Sequence, residues 1–347
     1  MKESIETSNE ISEAGNMFLH LVPQVCAIMV VVLHQYNVQN MPSHSFANHI
    51  VGFISHGICT AAVPTFFCIS GFLFWRTVIS FGSIKEKLWK RVKSVLVPFV
   101  LWNSAYALIF ITLKNEWGGV NLYEVISSVF LYKYYFPMWY MFQLMMFFLL
   151  SPIIYIFMKR RAYMTLLLIS LIITSIFVTN TVSFVFYGLN RSAIQLNYLI
   201  YFLFGALVTK IDINISTIRL PHLVTCIMLF LVISFISSLC MDEYLSVGYK
   251  RILVPGVFVT FVVIMVKLVQ QYPIKVDLLF GVSPMAVYGM HGFAGLVLVY
   301  LFDALGWGNS LSRYFIHCLL CVLFSFGFCY VLKQTLPRVY KLFIGNR

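Results

Sequence analysis

Charge is what this 347-residue sequence has least of. Twenty-four Lys and Arg and twelve Asp and Glu come to 10% of the chain, where about a quarter is usual in a soluble domain. With 61% apolar residues and a mean hydropathy of +0.89, a water-soluble fold is excluded, because no such fold can cover that much apolar surface. Carboxylates are scarcest where they would matter most. None falls clearly inside an apolar run, which argues against a His-Asp triad within the membrane and against a proton-relay pump built on buried acids. The sequence also lacks a Pro/Gly/Ser-rich linker, a low-complexity tract and a repeat of fixed period, and so reads as one membrane domain. Its first residues, MKESIETSNEISEAGN, carry no basic region ahead of a short apolar core and predict no cleavable signal.

What is present is apolar sequence in blocks long enough to cross a bilayer, which takes roughly 20 residues per helix. Ten spans are predicted, near residues 17–36, 51–75, 95–113, 138–158, 163–179, 196–209, 223–240, 252–269, 284–302 and 314–332. The sixth is short, which leaves nine as the alternative count. The expected fold is an all-α polytopic helical bundle, since only helices and closed barrels satisfy their own backbone in hydrocarbon. The expected organisation is a polar cytoplasmic tail over 1–16, a transmembrane domain over 17–334 and a cytoplasmic tail over 335–347.

The net charge of +12 does not point to nucleic acid, because the basic residues are scattered over short loops with no basic-and-aromatic soluble module. With both termini inside, 18 Lys and Arg fall on the cytoplasmic side and 6 on the outer side, as the positive-inside rule requires. A multi-pass protein of the cell membrane in contact with its lipids is therefore expected. All eight cysteines lie in or at the edges of apolar runs, which predicts packing roles and no disulfide framework. His317, Cys318 and Cys321 share one apolar run and are read as packing residues, so no metal site is expected.

Few residues can carry chemistry inside these runs. His34 closes the first span, His56 lies in the first turns of the second and His291 lies midway along the ninth, with Tyr288 one turn before it. Lys85, Lys87, Lys90, Arg91 and Lys93 crowd the loop ahead of the third span. Such a run anchors topology and attracts anionic lipid, and it also suits a polyphosphate. The segment 114–137 is rich in Trp and Tyr and fits the headgroup layer or an outer mouth. A transporter or flippase is the rival class, and it lacks a half-repeat and intramembrane acids. A membrane scaffold that has lost catalysis is a third class.

The motifs, taken in order, resemble the membrane acyltransferase-3 family, which includes O-acetyltransferases of bacterial surface polysaccharides. CAIMVVVLH ends at His34, VPTFFCISGFL holds Ser70 and Gly71, and KRVKSVLVPF runs from Lys90 to Phe99. PMWYMFQLMMFFLLSPII follows from Pro137 with Trp139, then IYFLFGALV around Gly205 and SPMAVYGMH ending at His291. The resemblance implies an acyl-CoA-dependent O-acyltransferase, acetyl-CoA being the donor co-substrate and a cell-surface or lipid-linked carbohydrate the acceptor.

It further implies His34 as general base, Lys90, Arg91 and Lys93 as cofactor-phosphate ligands, and Ser70, Trp139, Tyr288 and His291 as candidates for the substrate cavity. Ser70 and Gly71 also suit close helix packing, Trp139 suits an interface anchor, His34 suits a structural hydrogen bond to a helix carbonyl or to headgroups at the outer interface, and His291 suits packing against polar partners in the bundle. One position departs from the pattern: Pro23 stands where the family usually has Arg, eleven residues before His34, so either His20, Gln24 or a basic residue of the inner loop supplies that duty or this member is divergent or impaired.

Overall fold

A computed structural model describes residues 2–35, 45–78, 80–115, 117–177, 181–186, 189–210, 220–239, 246–271 and 281–345. Among these, seven helical segments are long and apolar enough to cross a membrane, and an eighth is a pair bent by 57°. Two further predicted spans, the fifth and sixth, are the shorter apolar helices Arg161–Ile173 and Leu196–Val208. Every predicted span thus has a helix, and length and composition qualify seven or eight of them as crossing. The protein is a multi-pass helical membrane protein.

The chain divides into two compact units, the first comprising residues 1–66 and 212–330 and the second 67–211 and 331–347. In the first, α1 (Lys2–His34) packs against α12 (Ser246–Gln271) and α13 (Pro284–Ala304). There α11 (Leu220–Leu239) packs on α12 and on a π-helical turn, Phe53–Gly57, that continues α2 (Phe46–Gly52). Val51, Tyr314 and Cys318 form a buried cluster with Val32, Ile54 and Leu311 against it, Leu311, Tyr314 and Cys318 coming from α14 (Leu311–Thr335). Helix α11 presents Val224, Met228, Val232, Phe235 and Leu239 outward. An apolar face turned away from its own core is what lipid contact requires.

In the second unit, α4 (Phe81–Arg91) runs through a π-helical turn, Val92–Leu96, into α5 (Val97–Lys114). After α6 (Leu122–Val129) come α7 (Trp139–Leu149), α8 (Ser151–Met158) and α9 (Arg161–Phe177). The all-α expectation needs one addition: β1 (Thr181–Phe186) and β2 (Leu189–Gln195) pair antiparallel. Those segments, TVSFVF and LNRSAIQ, are too short to span and the first is β-branched and aromatic, which favours a hairpin. Gln143 of α7 accepts from the Gln195 backbone N–H at 2.8 Å and ties down its end, just before α10 (Leu196–Val208). Within the C-terminal segment, α15 (Pro337–Phe343) packs on α5, where Trp102 donates to the Phe343 carbonyl at 3.2 Å.

Prolines mark the helix irregularities. The π-helical turn before α5 precedes Pro98, the 57° bend between α7 and α8 precedes Pro152, and the π and 3-10 turns over 53–61 precede Pro64 in α3 (Ala62–Trp75). Each proline removes the donor for the carbonyl four residues back and crowds it, which loosens the preceding turn. In the second unit Gly71 of α3 meets α10: a Cβ there would collide with the Phe202 backbone, and one at Gly205 with that of Cys68 and Phe72. Two glycines let these backbones touch, as small residues do between membrane helices.

Candidate active site

The first unit assembles His34, Tyr288 and His291. His34 ends α1 and is half-buried, while His291 is fully buried midway along α13. Their ring centroids lie 5.0 Å apart, and Tyr288 lies 5.8 Å from His291 on its own helix. His34 Nδ1 is 2.8 Å from the Val30 carbonyl and His291 Nδ1 is 2.6 Å from that of Tyr288. A carbonyl oxygen only accepts, so each Nδ1 carries the proton. In the neutral imidazole the lone pair of His34 then sits on Nε2, the form a general base needs.

The surroundings hold this pair in place. The Cys321 thiol of α14 donates to the His291 carbonyl at 3.4 Å, and His317 packs edge-on against Phe302 at 5.6 Å. Gln35, buried beside His34, lies against Gly295, where a Cβ would stand 2.6 Å from Gln35 Oε1. Gly295 is therefore what admits the amide. Among the described residues, no three His, Cys, Asp or Glu side chains gather to hold a metal ion.

Pro23 lies inside α1 without breaking it. Of its neighbours, His20 is exposed and Gln24 is buried, its amide donating to the Val282 carbonyl at 2.7 Å. His56 sits in the π-helical turn.

The second unit holds the remaining candidates in two places. Ser70 lies 3.3 Å from the Tyr140 hydroxyl, in an aromatic cluster where Trp139 is 5.0 Å from Tyr198 and 6.3 Å from Phe67. The basic residues sit where α4 gives way to the π-helical turn. Lys90 and Lys93 are exposed, three residues apart and so on one helix face. Lys93 Nζ lies 5.4 Å over the exposed Trp89 ring, and the Arg91 guanidinium 5.4 Å over Phe148. Lys87 is turned inward and donates to the Phe74 carbonyl at the end of α3. The lysines at 90 and 93 are thus open to an anion, while Lys87 is engaged in capping.

Sequence reasoning named both histidines and offered a helix carbonyl as a partner of the first only for a structural role. The partner is a main-chain carbonyl one turn back, which every helical residue has, so no sequence signal marks it. A family model described as an acyltransferase domain matches residues 24–332, beginning immediately after Pro23. No curated protein and no solved structure matches the chain.

Proposed function

Because the chain belongs to the membrane acyltransferase-3 family, we propose that this membrane acyltransferase is an O-acetyltransferase that moves an acetyl group from cytoplasmic acetyl-CoA to a carbohydrate hydroxyl. The observation that carries the reading is the fixed tautomer of His34, with Nδ1–H on the Val30 carbonyl. His34 Nε2 takes the proton of the acceptor hydroxyl as its oxygen attacks the thioester carbon. The new ester C–O bond forms, the C–S bond breaks, and the thiolate leaves. The imidazolium returns the proton to that sulfur, so free CoA thiol departs and the base is regenerated.

General-base help of this kind contributes roughly 10²- to 10⁴-fold. The Val30 carbonyl helps to stabilise the imidazolium, since it accepts the Nδ1 proton in both charge states. His291, fully buried against the ring, fixes its position and excludes water from one side. Lys90 and Lys93 are assigned to the CoA phosphates, with Arg91 held beside them at the start of the π-helical turn. Trp139 and Ser70 are assigned to the acyl or acceptor path.

The test is purified protein in liposomes given acetyl-CoA and surface glycans, with CoA thiol and glycan O-acetylation measured together. Equal amounts of both are expected. Thiol release and ester formation both absent with every glycan would overturn the reading.

A further inference from the structure

We propose that the loop between α5 and α7 carries a binding site for a neutral saccharide ring. This rests on the acyltransfer reading for its place as the acceptor site, whereas the binding itself is argued from the second unit alone. A cavity of about 310 Å³ is lined by Ile111, Asn115, Gly118, Gly119, Glu124 and Tyr134. That volume is within the roughly 300–1,000 Å³ of small-molecule sites. Trp117 is half exposed in the same 3-10 turn as the two glycines.

The cavity is built by its sequence. Asn115 takes the left-handed conformation (φ 54°) that ends α5 and turns the chain toward the glycines. Asn121 then caps α6, its side chain accepting from the Glu124 N–H at 2.9 Å. Tyr132, buried and also left-handed (φ 43°), turns the chain back after α6. A bulky residue at that φ is strained, and strain of this kind persists only where the surroundings impose it. It brings Lys133 and Tyr134 back onto Glu124: Lys133 Nζ donates to Oε2 at 2.7 Å and the Tyr134 hydroxyl to Oε1 at 2.6 Å. The Tyr134 ring stacks on Phe110 at 5.8 Å.

The electrostatics select the ligand. Burial works against ionisation of Glu124, but the hydrogen bonds from Lys133 and Tyr134 and the Lys133 charge outweigh it and hold the carboxyl below the usual range. It is therefore an anion at neutral pH with spare acceptor capacity, its charge already matched by Lys133. A single, matched carboxylate is a poor cation site, and it repels phosphate. The Asn115 amide and the peptide groups of Gly118 and Gly119 add donors and acceptors, and a Cβ built on either glycine would meet nothing within 4 Å. Sugar hydroxyls donate and accept at once, so a neutral polyhydroxyl ring uses this mixture where an ion or an apolar chain does not.

Saturation-transfer NMR tests the site, on the full chain in lipid nanodiscs free of sugar-headed detergent, with chitotriose and maltotriose as probes. Gly119 lines the cavity and a Cβ there meets nothing within 4 Å, so Gly119→Leu adds bulk at the lining without a clash at its Cβ. Wild type is expected to saturate at least one trisaccharide, with the signal at least tenfold weaker in Gly119→Leu and in Glu124→Gln. No signal in wild type, or an undiminished signal in Gly119→Leu, overturns the proposal. Trisaccharide binding without any CoA thiol release upholds this site and removes the acyltransfer reading. Glycan acetylation indifferent to Gly119→Leu does the reverse.

Discussion

The two compact units hold their polar groups in opposite ways. In the first, His34 and His291 are fixed by main-chain carbonyls of their own helices, and among the described residues its one ion pair, Arg313 with Asp303 at 2.7 Å, lies where α13 passes to α14. In the second, charge is abundant but kept at helix ends and loops, where Lys90 and Lys93 are exposed and Lys133 pairs with Glu124. The difference follows from the cost of charge in hydrocarbon. On the proposed function, a base inside a span is neutral at rest and oriented by backbone, whereas lysines that bind phosphate keep their charge only where water reaches them.

The largest expected effect is on the second unit's fold. Gly205→Val places a side chain against the backbone of Cys68 and Phe72, which no rotamer relieves, and overpacking of this kind costs about 3 kcal/mol or more. Loss of folded protein in size-exclusion chromatography after detergent extraction is expected, and wild-type yield and melting temperature would show that α3 and α10 can separate.

A smaller effect belongs to the exposed lysines of the second unit. Lys90→Gln with Lys93→Gln is expected to raise the KM for acetyl-CoA about tenfold and leave kcat unchanged, since exposed charge pairs each contribute up to about 1 kcal/mol. The difference should shrink with added salt, as screening predicts. A lowered kcat at unchanged KM would place these lysines in the chemistry instead.

The smallest effect is local. Glu124 is depressed in the folded protein, so its contribution to stability is fully present above the unfolded carboxyl value of about 4.3 and is lost as pH falls through the lower folded one. Hydrogen exchange across 122–129 should therefore quicken below about pH 4.3 relative to Glu124→Gln. A difference that appears only on raising the pH would contradict the pairing.

Much of the fold was legible because a bilayer fixes helix length, so ten apolar blocks become helices, seven of them long and apolar enough to span. The bend before Pro152 was present in the sequence as Ser-Pro, but its 57° angle depends on packing. The hairpin was missed because its alternating residues sit between two apolar helices, where hydropathy reads a loop. At the site, His34 and His291 were legible as rare ionisable groups in apolar runs, yet their 5.0 Å approach joins residues 257 positions apart and has no local signal. Glu124 was overlooked for a physical reason too: a carboxylate outside the spans looks solvated until the left-handed Tyr132 brings Lys133 and Tyr134 onto it.

The most direct measurement is a single-turnover assay of acetyl transfer by His34→Ala beside wild type, with acetyl-CoA binding followed separately. Removing the base should slow transfer by at least 10²-fold while binding persists. Transfer at the wild-type rate would show that the imidazole of α1 is a packing group and that the proton leaves by another route.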